Sequence, residues 1–212
     1  MSHTPEPIFK TIFGADWAKM PRVFHRHYAC RAGTDDTAAC DGVMDIEASL
    51  IGRLLAPLFY VSGTLVPYRG RGIRAQVGFA ALQDTDQKGL VRNGFLFDRV
   101  FYFPDKKPYR FTSRLVHIEG NEVVEQTRMG FGWRAAFVWT GDKIDMQHRG
   151  YTLRIFGRDM PFPGEWFLGR ASASETALDD DRFAMTMEIR HPLWGRVFAY
   201  SGIFTMTKDS PA

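Results

Sequence analysis

Two periodicities divide the chain. Up to about residue 60 the apolar positions recur mostly at helical spacing, and from about residue 73 they alternate. Ile8, Phe9, Ile12 and Phe13 share one helical face, with Thr4 as the expected N-cap, Pro5 in the first turn and Gly14 as the stop. A second short helix is predicted from Pro21, carrying Val23 and Phe24. A polar loop from Arg31 to Asp41 follows. Gly42 to Ala48 then alternates, with Met44, Ile46 and Ala48 on one side and Asp45 and Glu47 on the other, as in a half-buried strand. Leu50, Ile51, Leu54, Leu55 and Leu58 return to helical spacing, where Pro57 is expected to end or kink the helix.

Beyond residue 73 the strand signal persists. Ile73, Ala75, Val77 and Phe79 form one face; Phe95, Phe97, Arg99, Phe101 and Phe103 form the next. Tyr109 to Ile118 alternates again, Asn121 to Glu125 opens another strand, and Phe131, Trp133, Ala135, Phe137 and Trp139 give a further aromatic face. Thr140 to Lys143 reads as a hairpin turn, Met160 to Gly164 as a turn between strands, and His191 to Gly195 as a turn into the last strand. No βαβ rhythm appears. The fold class is therefore mainly β (α+β): an antiparallel meander of roughly nine or ten strands, curled into a barrel or strongly curved half-barrel. Short helices near the N-terminus are expected to cover it. The chain reads as one domain over 1–212, with residues 1–60 as a helical and strand cover and 61–208 as the barrel or half-barrel.

Aromatic residues make up 14% of the chain and include 18 Phe, so a core, a ligand cavity or an interface must absorb them. The net charge of +3 is too mild to argue for nucleic acid by bulk electrostatics. No apolar run is long enough for a membrane-spanning helix, and the first residues lack the features of a secretory signal, so a cytoplasmic location is expected. Cys30 and Cys40 bracket a polar loop. In a cytosolic chain they are expected as free thiols, and two cysteines are too few for a metal site.

The order of short motifs in the chain resembles the bacterial family catalogued as domain of unknown function 4166. The matching segments are Met160 to Pro163, Ala171 to Glu175, Asp181 to Met185, Pro192 to Gly195 and Tyr200 to Gly202. Upstream, Arg99-Val100-Phe101 and Arg110-Phe111-Thr112-Ser113 are similar to the family's Arg-x-Phe and Arg-Phe-x-Ser pair, and Phe13-Gly14 and Met20-Pro21 with His27 fit its opening. Leu65 to Tyr68 fits only loosely. The resemblance implies a fold and relatives, and no reaction. Its members are often joined to reductase-like modules, which implies a reductase-type protein partner. This chain has no Gly-x-Gly-x-x-Gly fingerprint of its own.

Arg99 is the most informative single residue, because it shares a strand face with four Phe. A guanidinium there needs an anion or an aromatic ring beside it. Three readings stay open: a ligand carboxylate or phosphate inside an aromatic cavity, an internal ion pair with Glu125 or Glu175, or an outward face forming an interface. Arg110 and Arg114 share the opposite alternation and line either a polar cavity stripe or a solvated face; Arg154 and Arg170 have similar status. Glu175 follows the small residues Ala171 to Ser174, which leave room for a ligand or a close strand contact. Tyr200 can place its hydroxyl in a cavity. The candidate ligand-binding set is thus Arg99, Phe97, Phe101, Arg110, Arg114, Glu125, Arg170, Glu175 and Tyr200.

His25 and His27 would face one way only on a strand, and the segment reads as helix, so no metal is assigned. His117 and His148 fall on apolar faces and read as core residues with satisfied partners. The chain carries no hydrolase nucleophile elbow, phosphate-binding loop or zinc-protease motif, and Asp179-Asp180-Asp181 reads as a solvated hairpin tip. The loop Tyr68-Arg69-Gly70-Arg71-Gly72 is basic and Gly-rich and reads as a flexible loop, with a phosphate contact as the alternative. No cofactor is expected.

The leading reading is a domain that binds a small apolar or amphiphilic molecule in an aromatic-lined β cavity. One alternative is an accessory domain for a reductase-type enzyme, docking through Trp133, Phe137 and Trp139. Another is an isomerase, cyclase or hydrolase, with Glu175, Glu125, His148 and Tyr200 as candidate acid–base groups; a carboxylate beside a His or Tyr at the cavity wall would favour it.

Overall fold

Alternation along the chain translates into a ring of strands with one face inside. The computed structural model describes residues 5–85 and 91–209; the Thr4 cap expected for the first helix lies outside them. The strands are β1 (Thr37–Ala48), β2 (Gly70–Thr85), β3 (Val91–Tyr102), β4 (Tyr109–Glu119), β5 (Glu122–Gln126), β6 (Phe131–Trp139), β7 (Lys143–Ile155), β8 (Arg158–Phe162), β9 (Arg170–Ala177), β10 (Arg182–His191) and β11 (Gly195–Lys208). All pairings between them are antiparallel, in the order β6-β5-β4-β3-β2-β1-β11-β10-β9-β7, and β6 also pairs with β7. That last pairing closes ten strands into a barrel and removes their free edges. The first half of β7 pairs with β9, over Lys143 to Met146, and its second half pairs with β8, over Tyr151 to Ile155.

Two expectations are corrected. Met160 to Phe162, read as turn, belongs to β8, because the ribbon of β7 continues past the end of its pairing with β9 and recruits a partner of its own. The division near residue 60 also fails as a description of the fold. β1 begins earlier than read, at Thr37, and is a full barrel strand between β2 and β11.

The helices take opposite ends. α1 (Ile8–Phe13), a 3-10 turn over Gly14–Lys19 and α2 (Arg22–His27) plug one end. The apolar positions read from helical spacing are the ones they bury: Ile8, Phe9, Ile12, Phe13, Val23 and Phe24. Phe9 stacks on Phe95 of β3 at 4.9 Å and meets Phe137 of β6 at 5.3 Å, while Phe24 meets Trp139 at 6.0 Å and Phe183 at 6.4 Å. Charged groups pin the plug. Arg26 reaches Asp181 in the β9–β10 turn and, at 2.6 Å, Asp209 after β11. Arg31 grips the buried Asp36 with two side-chain hydrogen bonds of 2.7 and 3.1 Å.

α3 (Leu50–Ser62) lies at the other end, resting mainly on β1 and β11. The Ser49 side chain caps it by accepting from the Gly52 amide at 3.2 Å, and Gly63 ends it in the left-handed conformation. The helix runs through Pro57 instead of stopping there. Gly52 sits where a Cβ would lie 2.3 Å from the Val197 carbonyl oxygen, so only glycine permits this approach to β11. The spacing correctly foretells a helix, but its apolar face is mostly outside: Leu50, Leu54 and Leu58 are exposed, and Phe59 is the large side chain it buries.

Candidate functional site

Between the plug and α3 the barrel holds a cavity of about 100 Å³. Its wall is mainly Phe, Met and aliphatic side chains, among them Phe79, Phe97, Phe101, Phe111, Met185 and Met187. A smaller void of about 30 Å³ adjoins it, and Arg99, Glu125, Glu175 and Tyr200 line both. Alternation along each strand puts these residues inside; closure of the ring brings them together from β3, β5, β9 and β11.

The polar groups form two clusters. In the first, Arg99 Nη2 donates to Glu125 Oε1 at 2.5 Å and to Ser113 Oγ, and Ser113 Oγ donates to the same carboxylate oxygen at 2.6 Å. The guanidinium carbon lies 4.2 Å from the Phe111 ring centre and 5.4 Å from that of Phe97. Arg99 thus has both an anion and aromatic faces, which is what a cation with an 11% exposed side chain requires. Of the readings left open, the internal ion pair is formed, with Glu125 rather than Glu175. The Nε of Arg99 is buried without a hydrogen-bond partner. Tyr200 hydrogen-bonds the guanidinium, and burial pushes its phenol well above the usual range.

The second cluster joins the plug to the barrel wall. The Tyr28 hydroxyl, just past α2, donates to Glu175 Oε2 at 2.8 Å. His27 Nδ1 lies 3.8 Å from the same oxygen. His27 is fully enclosed, with ring centres of Tyr28, Phe79 and Phe183 at 4.2, 4.5 and 4.7 Å, and neither ring nitrogen has a hydrogen-bond partner. Burial lowers its pKa to about 3, so the imidazole is neutral at ordinary pH. Burial raises the Glu175 pKa to about 7, against the opposing effect of the Tyr28 hydrogen bond. Burial, then the neighbouring Glu175, raises the Tyr28 phenol, and the same two causes raise the Cys40 thiol, which also lines the cavity. Cys30 and Cys40 are both buried and not joined to each other.

Six residues of the sequence-derived set line the cavity: Phe97, Arg99, Phe101, Glu125, Glu175 and Tyr200. The other three are not brought there. Arg110 lies on the outer face and pairs with Asp98 through two 2.6 Å hydrogen bonds. Arg114 shares that outer alternation of β4, opposite the inward Phe111, Ser113 and Leu115. Arg170 is exposed at the start of β9. The aromatic face read as a docking surface is turned inward: Phe137 is buried under the plug, Trp139 packs on Phe24, and Trp133 lines the cavity. His148 accepts from Trp133 Nε1 at 3.0 Å and meets Glu165 at 2.9 Å, a core histidine with both nitrogens engaged. His25 Nε2 meets the Met20 carbonyl at 3.0 Å.

Sequence reasoning gave His27 a chemical role only as a metal ligand, named Ser113 only within the Arg110-to-Ser113 motif, and did not single out Tyr28. Nothing local marks Tyr28. Tyr28 meets a partner 147 positions away, and helical spacing alone cannot say which strand a plug residue will face. Among the described residues no group of three or more His, Cys, Asp or Glu is placed to hold a metal ion. No helix among them is long and apolar enough to cross a membrane.

Similarity to solved structures is distant. The chain is 12% identical to Rv2717c from M. tuberculosis, covering 80% of this chain and 91% of that one at a TM-score of 0.39. It is 10% identical to the H959F variant of the PpsC dehydratase domain from Mycobacterium tuberculosis, covering 90% and 83% at a TM-score of 0.20. No curated protein matches the chain. A family model matches residues 20–204, nearly the whole barrel with α2 and α3, and by that match the chain belongs to the family described as domain of unknown function DUF4166.

Proposed function

We propose that the barrel binds a small apolar or amphiphilic molecule in the cavity between the plug and α3. The observation that carries this reading is the composition of the wall: aromatic, Met and aliphatic side chains, interrupted only by a few fixed polar groups that include Arg99–Glu125 and Glu175. Such a wall gives affinity through the apolar part of a ligand and orientation through its polar atoms. A cavity of about 150 Å³ lined by aliphatic and aromatic side chains takes up benzene. The 100 Å³ here suits an apolar group of that order, with the rest of a larger molecule reaching toward α3. The Arg99 charge is already neutralised by Glu125. The polar end of the ligand is therefore a neutral hydrogen-bonding group in preference to a second carboxylate.

The test is titration with the fluorescent probe 1-N-phenylnaphthylamine. The expected result is saturable, equimolar enhancement that Ala171→Leu reduces at least about tenfold, because Ala171 is buried on the cavity wall and the added atoms fill the space. Circular dichroism establishes that the variant is folded. Equal probe binding by the two proteins would sink the reading.

A second reading has its own support in the Tyr28–Glu175–His27 cluster. A carboxyl group with a pKa near 7 beside an unpartnered imidazole suits general acid–base catalysis on the bound molecule. The simplest balanced reaction is a double-bond shift beside a carbonyl. Glu175 carboxylate takes a proton from the carbon between alkene and carbonyl, the electron pair delocalises onto the carbonyl oxygen, and the same proton returns to the far alkene carbon. Incubating the protein with 3-cyclohexenone should give the conjugated isomer, and Glu175→Gln should abolish the conversion. A rate no higher than that of buffer would exclude this reaction.

A further inference from the structure

The outer surface at the α3 end of the barrel is apolar in a way the other end is not. Leu50, Leu54, Leu58 and Val61 form one outward stripe of α3, each more than half exposed. Antiparallel alternation brings the β5–β6, β7–β8 and β10–β11 turns to this same end. They present Met129, Phe156 and Leu193, and Trp166 follows from the turn before β9. Phe156 and Leu193 are 87% and 82% exposed. Met129 and Phe156 are the two non-glycine residues in the left-handed backbone region among the described residues, at φ 64° and 48°. A bulky apolar residue held there is strained as well as exposed. Both such residues lie at this end.

The charge at this end is positive. Arg53 of α3, Arg69 and Lys106 border one groove beside Ala56 and Phe59, with no carboxylate in its lining. Arg128 packs against Gly63 at the end of the helix. Of the carboxylates nearby, Glu47 pairs with Arg196 at 2.6 Å and Glu188 with Arg190 at 3.3 Å, Glu165 beside Trp166 meets His148 at 2.9 Å, and Asp105 is exposed beside Lys106. The turns at the plugged end carry Asp142, Asp179, Asp180 and Asp181 instead.

We propose that the α3 end docks on the surface of an anionic lipid bilayer, with α3 lying in the interface and the Trp166, Phe156 and Leu193 tips inserted beside it. Apolar side chains from separate segments reach the acyl boundary while the arginines and lysines meet lipid phosphates. The proposal deepens the ligand-binding reading and rests on it for its purpose. Leu65 and Val66, immediately after α3, line the cavity. A molecule leaving the cavity under α3 therefore enters lipid without crossing water. The occupant is a lipid surface in preference to a protein because the groove beside the apolar stripe is lined by Arg53, Arg69 and Lys106 and by no carboxylate.

The test is co-sedimentation of the full chain with vesicles of phosphatidylcholine alone and of phosphatidylcholine mixed equally with phosphatidylglycerol. Binding is expected to the mixed vesicles, falling steeply as salt is raised. Arg53→Gln with Arg69→Gln should weaken it about tenfold or more, and Phe156→Ser with Trp166→Ser by a similar factor. Both pairs should keep the wild-type melting midpoint and the wild-type affinity for 1-N-phenylnaphthylamine, since these residues lie outside the cavity. Wild-type protein that stays in the supernatant overturns the proposal, as does equal binding to both vesicle types. Self-association that Phe156→Ser with Trp166→Ser abolishes, without vesicle binding, overturns it in favour of a second copy as the occupant. Vesicle binding without probe uptake supports the docking and removes the ligand reading.

Discussion

The two ends of the barrel solve opposite problems with the same kinds of residue. At the plugged end, Phe9, Phe13 and Phe24 are buried among rings from β3, β6 and β10. Arg26 and Arg31 are spent on Asp181, Asp209 and Asp36. At the α3 end, Leu54, Phe156, Trp166 and Leu193 stand in water, and Arg53, Arg69 and Lys106 surround a groove that no carboxylate lines. Aromatic and basic side chains at one end are structural; at the other they contribute little to the fold as it stands. Stability and surface chemistry are therefore separated along the barrel axis, and substitutions at the two ends should have different consequences.

The largest effect is expected at the plug. Phe24 is completely buried between Trp139 and Phe183. Phe24→Ala should lower unfolding free energy by about 3–5 kcal/mol, combining lost transfer energy with a residual cavity. Urea denaturation followed by tryptophan fluorescence checks this. A loss under about 1 kcal/mol would mean that the plug is a detachable cover and would erase the contrast between the ends.

In the middle of the barrel, breaking the internal ion pair should cost about 3 kcal/mol in Arg99→Met, because Glu125, with only 18% of its side chain exposed, is left as a largely desolvated charge without its partner. Adding Glu125→Leu should restore most of that loss, since an apolar pair of similar volume avoids both desolvation costs. If the double variant is no better than the single one, Arg99 is held by packing on Phe111 and not by the carboxylate.

Glu175 gives a pH signature of comparable or smaller size. Its folded pKa of about 7 lies above the ordinary 4.5, so the native state holds a proton that the unfolded state releases between those values. Stability from this group is full below about pH 4.5, falls as pH rises to about 7, and is lost above it; the span corresponds to at most about 3 kcal/mol. His27 runs the other way. Its pKa falls from 6.5 to about 3, so its contribution is full above pH 6.5 and is lost as pH falls toward 3. The two slopes oppose each other between about pH 4.5 and 6.5. Glu175→Gln should therefore uncover a stability that climbs monotonically with pH to about 6.5 and should raise stability at pH 8. Urea midpoints across that range decide it. A variant with the wild-type profile would place the wild-type proton elsewhere.

Much of the fold was legible in the sequence, while the contrast between its ends was not, and the missing part has a physical pattern. Period two in β3, β6 and β10 foretold the sheet because one face of each is sealed and the other is not, and closure followed from the number of strands. Helical spacing foretold the buried positions of α1 and α2. The same spacing in α3 foretold a helix but pointed its apolar stripe the wrong way. Amphipathicity says that one face differs from the other; it does not say that the apolar face meets protein. Arg99 was identifiable because a guanidinium among Phe residues is chemically anomalous wherever it lies, whereas Tyr28 and His27 became a site only through a contact spanning most of the chain. Arg110 and Arg114 entered the candidate set, with a solvated face as their other reading, for a simpler reason: alternation gives two faces and does not label the inner one.

The smallest effect on stability is expected at the α3 end, and it is the sharpest test of the contrast. Leu54 is 73% exposed and Trp166 84% exposed, so neither gains much contact with water on unfolding or makes much contact with the core. Leu54→Ser and Trp166→Ser should each change unfolding free energy by no more than about 0.5 kcal/mol. Each should also raise solubility, because a large apolar group leaves the surface. The same Leu→Ser exchange at Leu115, buried on β4, should cost several times as much. Calorimetric melting of the three variants beside the wild type makes the comparison in one experiment. A large loss at Leu54 would mean that α3 folds its stripe inward in solution, and the outer face of this end would then be polar and unable to act as the docking surface.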